Sequence, residues 1–272
     1  MLSLNFHQTF IPERRLIALI LDYAATGKQG TYHEISSVTG IPMGKFSGKV
    51  PAILSYAEGM GLIEVSKKRL AKRKPILTPF GKEVQNKDKY LSEIISQWLA
   101  HMNLCRNDIG ARVWHAVFAQ GRNIIGSSFL REQLEEYLVG IFGVGRRRIG
   151  PLISAYIQDA GLQRANILSM NGNKVVRNKA PISELYAVPY SAYILSLMEA
   201  YFKGQNQVTV SDFNKMTSWF EICLWSESDV EKMFAIVEKK GYISIDRQMR
   251  PWIIEKRAEA EQIWPYLWDE IA

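Results

Sequence analysis

Apolar side chains recur along this chain at two periods, one near 3.6 residues and one of two, and the alternation predicts short helices followed by shorter strands. From Pro12 to Tyr23, Leu16, Ile17, Leu19, Ile20 and Tyr23 share a helical face. After a glycine-bounded break, Tyr32 to Thr39 reads as a second helix, closed by the turn Gly40-Ile41-Pro42. A third helix starts at Pro51. Leu62-Ile63-Glu64-Val65 then alternates as a strand, and Pro75-Ile76-Leu77-Thr78 returns as its partner before a helix around Gly81. Three helices and a two-stranded ribbon predict a winged helix.

The third helix recurs. Pro51 to Leu62 and Pro151 to Leu162 share Pro, Ile two residues on, Tyr five on, Gly ten on and Leu eleven on. Proline suits a first helical turn, whose amides lack intrahelical partners, and glycine can end a helix in the left-handed conformation. Around the second copy, Phe129 to Leu138 reads as the preceding helix, and Asn171-Gly172 as a two-residue turn between Ile167-Leu168 and Val175-Val176. A weaker third copy spans Ser191 to Ile254, with Val230, Met233, Phe234 and Val237 on one face, Gly241 as the stop and Tyr242 to Ile245 as a strand. The expected fold is mainly α with small β-wings, as tandem winged-helix modules: 1–87, 88–187 with a helical linker, and 188–272. In that linker, Leu91, Ile94, Ile95, Trp98 and Leu99 form one apolar face and Val113, Trp114, Val117 and Phe118 another. Trp264, Leu267, Trp268 and Ile271 predict a packed closing helix.

Composition sharpens this picture mainly through charge. An apolar fraction of 47% fits a folded protein, and no run of about 18 apolar residues suggests a bilayer span. The first residues carry no export pattern, so a cytoplasmic location is expected. The net charge of +7 is concentrated between Ser66 and Tyr90, where nine basic residues face two acidic ones. Lys67, Lys68, Arg69, Lys72, Arg73 and Lys74 fall between the two strands of the first ribbon, where a wing would meet phosphate; the plain alternative is a solvated loop.

Further cations flank the repeated helices. Lys45 and Lys49 precede Pro51, Arg146, Arg147 and Arg148 precede Pro151, and Lys174 and Arg177 lie on the second ribbon. Cations beside the free amides of a helix N-terminus suit phosphate, and Arg also reads guanine edges, although the triplet alone could be a solubilising turn. The third copy differs: Glu227, Asp229 and Glu231 open its helix, which would repel phosphate but cap well. That points to a structural or partner-binding module.

Catalytic chemistry is harder to find. Metal-dependent strand cleavage needs clustered carboxylates, whereas Glu132, Glu135 and Glu136 read as a polar helix face, and Glu255-Lys256 has no upstream Asp partner. His7 with Glu13 and Arg14 is the most unusual polar group, and an imidazole could act as general base; a core or capping histidine is the ordinary reading. His101 and His115 lack carboxylate company and read as structural, and Cys105 and Cys223 as buried thiols. No metal ligands are assigned.

Phe6-His7-Gln8-Thr9-Phe10, followed by Arg14, resembles the opening of a bacterial family once known only as a domain of unknown function. Trp98-Leu99-x-His101 and Trp114-x-x-x-Phe118 are similar to its second landmark. Asn5-Phe6 stand where that family usually has Gly before the histidine. The family includes the SspB component of single-strand DNA phosphorothioation systems. The resemblance implies DNA nicking that opens one strand for sulfur insertion, with double-stranded DNA, a sulfurtransferase and an ATPase as partners and a divalent metal such as Mg or Mn as cofactor of a nickase. It transfers no catalytic residues. The alternative is a non-enzymatic winged-helix regulator or adaptor.

Overall fold

The computed structural model describes residues 1–43, 48–66, 71–145 and 149–271, and the chain divides into two compact units, Met1–Asn178 and Lys179–Ala272. The stretches expected as the first two modules fall, up to Asn178, within one unit.

The first unit opens with α1 (Arg14–Ala25), α2 (Tyr32–Thr39) and α3 (Lys49–Gly59). Thr31 and Glu34 form a reciprocal cap that starts α2, and Gly40 stops it with a left-handed φ of 72°. Strands β1 (Ile63–Val65) and β2 (Pro75–Leu77) pair antiparallel, Ile63 opposite Leu77, and an isolated bridge between Gly30 and Arg73 adds a third edge. Helix α4 (Pro79–Lys87) follows, capped by Thr78. A Cβ on Gly81 would stand 1.7 Å from the Leu62 carbonyl oxygen, so only glycine lets α4 seat against the ribbon.

Helix α5 (Ile94–Leu104) is buried on every side from Ile95 to Leu104, as expected of a helix inside a core. Helix α6 (Arg112–Trp114) runs into a π-helical stretch, His115–Gln120. Then come β3 (Ser128–Leu130), α7 (Arg131–Phe142), α8 (Ile149–Ile157), β4 (Leu168–Asn171) and β5 (Lys174–Arg177), in the sheet order β3-β5-β4. The segment expected as helix from Phe129 therefore begins as a strand, because Ser128 to Leu130 pair with β5. The hairpin turn also moves by one residue. Asn171 pairs with Lys174, leaving Gly172-Asn173 as the loop, with Gly172 at φ 59° in the first loop position.

The repeated motif is built into the core twice. Tyr56 on α3 and Tyr156 on α8 are fully buried, and both meet Trp114: Tyr56 edge-on at 6.1 Å, Tyr156 by accepting the indole N–H at 2.9 Å. The matched glycines serve different ends. Gly61 is left-handed at φ 70°, whereas Gly161 is required because a Cβ would come within 2.3 Å of the Ala155 carbonyl oxygen.

The second unit holds α9 (Ala187–Tyr201), β6 (Gln207–Thr209), α10 (Val210–Thr217), α11 (Trp219–Ile222), α12 (Glu227–Glu238), β7 (Ile243–Asp246), β8 (Ile253–Lys256) and α13 (Ala260–Ile263). Its sheet order, β6-β8-β7, repeats the first-last-middle order of β3-β5-β4. Trp219 sits at the centre of its core, with Trp225 at 5.0 Å and Tyr193 at 5.5 Å. The expected closing helix is shorter than the apolar spacing suggested: α13 yields to a 3-10 turn at Trp264–Tyr266, although Trp264, Leu267 and Trp268 are buried. No described helix is long and apolar enough to cross a membrane.

Candidate nucleic-acid interface

In the first unit, α2, α3 and the β1–β2 ribbon surround a groove of about 190 Å³, lined by Tyr32, Leu54, Ser55, Glu58, Ser66 and Arg73 among others. Of the described cations only Arg73 lines it; Lys72 and Lys74 flank Arg73 in sequence, and Lys49 precedes the lining residue Pro51. On the returning limb of the ribbon, Arg73 donates from Nε to the Tyr32 hydroxyl at 3.3 Å and lies 5.5 Å over its ring. Its backbone amide and carbonyl both bond to Gly30. Arg73 is thus fixed in place, with its guanidinium carbon over an aromatic ring that stabilises the cation. Lys72 and Lys74 beside it are exposed, with Lys72 Nζ 4.0 Å from a Glu34 carboxylate oxygen, a separation at which water screens most of the attraction. At the start of α3, Lys49 pairs with Glu13 at 2.6 Å and sits 5.5 Å over the Phe10 ring.

Lys49, Lys72, Arg73 and Lys74 accordingly lie in one part of the first unit, at the N-terminus of α3 and on its ribbon. Lys174, at the start of β5, is exposed on the other ribbon. Lys45, Lys67, Lys68, Arg69, Arg146, Arg147 and Arg148 lie outside the described residues.

Arg177 does not join them. It is 4% exposed, and its guanidinium donates to the carbonyls of Val117 at 3.1 Å and Phe118 at 2.8 Å while lying 5.0 Å over the Phe118 ring. Val117 and Phe118 lie near the end of the π-helical stretch, where a helix runs out of its own donors, and Arg177 supplies donors to both carbonyls. The residue expected at the DNA surface is a core brace.

Two of the three N-terminal candidates are engaged in holding the fold, and the third, His7, is bonded through one ring nitrogen while its Nε2 is buried without a partner. His7 is 2% exposed; its Nδ1 accepts the Thr9 amide at 3.1 Å, and burial holds its pKa down to about 4, so the ring is neutral. Glu13 precedes α1 and holds Lys49. Arg14 donates to the carbonyls of Asp159 at 2.8 Å and Tyr90 at 3.3 Å, tying α1 to the end of the second repeated segment. Among the described residues, no three His, Cys, Asp or Glu side chains are grouped so as to hold a metal ion. His101 and His115 have protein partners, the Tyr156 hydroxyl at 2.6 Å and the Cys105 carbonyl at 2.8 Å.

No protein-family model and no curated protein matches the chain. Solved structures do. A magnesium ion-bound SspB crystal structure aligns over 100% of this chain and 87% of its own length, with a TM-score of 0.69 at 13% identity. A second SspB crystal structure aligns over the same shares with a TM-score of 0.68. The chain has the SspB fold. At this identity the likeness lies in the course of the backbone rather than in shared side chains.

Two features of this chain escaped the sequence. Tyr32 read only as the start of a helix; an aromatic residue opening α2 opposite a basic ribbon was the available signal. Gln8 and Thr9, directly after His7, both have positive φ, 45° and 75°. Neither is a residue that favours this region, and β-branched Thr least of all, so the turn is strained. Gln8 also accepts the Gly48 amide at 3.3 Å, just before α3.

Proposed function

We propose that this chain binds double-stranded DNA as the SspB-type component of a DNA phosphorothioation and defence system. The two halves of the first unit and the second unit are read as winged-helix modules, the first of which grips the phosphate backbone. One observation carries this reading: Arg73, Lys72 and Lys74 line the returning limb of a ribbon beside α3, and that ribbon's connecting segment contributes Lys67, Lys68 and Arg69 to the sequence. Phosphate contacts of this kind position a protein without choosing a sequence. Lys49 stands at the head of α3 with its charge shared with Glu13, and Arg146, Arg147 and Arg148 occupy the corresponding place ahead of α8 in sequence. Arg177 takes no part, because its donors face the carbonyls of Val117 and Phe118.

The nicking step, and the sulfurtransferase and ATPase partners in the cytoplasm, rest on the likeness to SspB. One of the SspB structures is magnesium ion-bound. Among the described residues of this chain, no three His, Cys, Asp or Glu side chains group around a metal position. The alternative is a non-enzymatic adaptor, in which Glu13 holds Lys49 and Arg14 holds the Asp159 and Tyr90 carbonyls, while His7 uses Nδ1 locally and keeps a buried Nε2 without a partner.

Fluorescence anisotropy with short duplexes, measured across a salt series, tests the binding surface. Neutralising Lys67, Lys68, Arg69, Lys72, Arg73 and Lys74 together weakens binding to every sequence, and each lost phosphate contact reduces the log–log salt slope by about 0.9. Unchanged affinity and slope would remove the wing from the interface. Incubation with supercoiled plasmid in Mg or Mn separates the enzyme from the adaptor: conversion to open circle supports nicking, and no conversion leaves DNA binding alone.

A further inference from the structure

Helix α3 shows little of itself to solvent. Between Lys49 and Gly59 only Lys49, Pro51, Ser55 and Glu58 are half-buried, and every other residue is buried. Lys49 is bound to Glu13. Pro51, Ser55 and Glu58 follow one another by four and three residues, so they share one helical face, and all three line the groove beside the β1–β2 ribbon. A helix that reads a major groove presents a broad polar face to the base edges. The open face of α3 is a narrow stripe, and it belongs to the wall of a pocket.

At about 190 Å³ this pocket is below the usual size for a drug-like ligand and suits a single planar ring system. Pro51, Leu54 and Val65 supply apolar wall. Tyr32 and Arg73 supply π surfaces already paired at 5.5 Å, so a further ring stacks on them without ordering either side chain anew. The remaining lining groups are Ser55, Glu58 and Ser66. Ser55 donates its hydroxyl proton to the Pro51 carbonyl at 2.9 Å, which leaves its oxygen to accept from a ligand. Glu58 is engaged within the chain, but the two oxygens of a carboxylate accept several hydrogen bonds, so a further donor edge can join. Beside the pocket, exposed Lys72 and Lys74 flank Arg73. The occupant that fits is a neutral ring carrying N–H donors and attached to an anion.

We propose, resting on the DNA-binding reading above, that this pocket takes one unpaired base of a DNA strand, guanine in preference, while Lys72, Arg73 and Lys74 hold the phosphates beside it. Guanine carries adjacent N1–H and N2 amino donors, which match the two oxygens of a carboxylate; thymine has one ring N–H between two carbonyls and does not. A phosphate seated in the pocket would meet Glu58, and a paired base has its donor edge occupied. A base that is already unpaired enters at little cost in pairing and stacking. An Arg or Lys of a protein segment would reach Glu58 only past Arg73 and its flanking lysines.

Anisotropy with the full chain and a set of related duplexes tests this. One duplex is fully paired, and the others carry a single unpaired guanine, a single unpaired thymine or a single unpaired abasic residue in one strand. The unpaired guanine is expected to bind about tenfold more tightly than the abasic and fully paired duplexes, with thymine between. Glu58→Gln should cut the guanine-over-thymine ratio several-fold, and Tyr32→Ala should bring both bases down to the abasic duplex. Each is a ratio within one variant, so loss of folded protein alone cannot produce it. Equal binding of all the duplexes would overturn the pocket and leave the backbone grip standing, whereas binding of none would overturn both. An abasic duplex bound as tightly as guanine would show that the protein senses a flexible strand, and a guanine preference that survives Glu58→Gln would remove the carboxylate from recognition; either result overturns the proposal.

Discussion

The indole N–H of Trp114 donates to the hydroxyl of Tyr156 at 2.9 Å, and that hydroxyl stands 2.6 Å from Nδ1 of His101. Burial, followed by the nearby Arg177 charge, holds the His101 pKa well below its usual range, so its ring is neutral. The three groups form a buried chain in which the Tyr156 hydroxyl accepts from tryptophan and shares a hydrogen bond with Nδ1 of histidine. Tyr156→Phe leaves a buried indole N–H and an imidazole nitrogen without partners, which costs about 2–4 kcal/mol. Tyr56→Phe removes a single bond to the Phe10 carbonyl, at about 1 kcal/mol. Urea denaturation of both variants measures the difference; equal losses would show that these linked bonds add nothing to the stability of the core.

Arg177→Met separates bracing from DNA contact. It keeps the volume of the side chain but strips the Val117 and Phe118 carbonyls of donors, and should lower unfolding free energy by about 2–4 kcal/mol. The salt slope of DNA binding, measured below the melting temperature, should not change. A flatter slope would return Arg177 to the interface.

His7 makes stability depend on pH in a defined direction. Its folded pKa of about 4 lies below the ordinary 6.5, so the unfolded chain binds the proton more readily. Its contribution is complete above pH 6.5 and is lost as pH falls from there to 4, by at most about 3 kcal/mol. His101 and His115 are shifted in the same direction, so the informative quantity is the difference between the parent chain and His7→Gln. Denaturation at pH 7, 5.5 and 4.5 should show the variant losing less. Parallel losses would mean that His7 is protonated in the fold.

Thr9→Gly should do the reverse of most glycine substitutions and leave stability equal or up to about 1 kcal/mol higher, because it releases a β-branched residue from φ 75°. Thermal unfolding reads this directly. A clear fall in melting temperature would show that the turn is unstrained or that the Thr9 side chain supports it.

The elements that sequence made legible were those with local causes. Tyr32 to Thr39 has its own cap and its own stop, and α3 announced itself by proline, periodicity and glycine. Ser128 to Leu130 was missed as a strand because its pairing partner, Val176 to Lys174, lies more than forty residues away and nothing local marks it. Distance along the chain also hid Arg177, whose two acceptors belong to a π-helical stretch about sixty residues upstream. As letters, Arg177 and Lys174 look alike; only the pleat of β5, which turns Arg177 inward, tells them apart. The same holds for His7 and Arg14, whose unusual composition reflected demands of packing.

The shared Trp114 has a consequence for how the first unit comes apart. Tyr56 and Tyr156 are borne by helices one hundred residues apart, yet both rest on one indole, and Arg14 adds a second link from α1 to Asp159. Neither half can loosen without uncovering the other's inner surface. The duplicated halves, which the repeat would suggest are separable, should melt in a single transition, with calorimetric and van't Hoff enthalpies in agreement for that unit. Whatever the two halves grip, they then grip with a fixed spacing set by the core rather than by a tether.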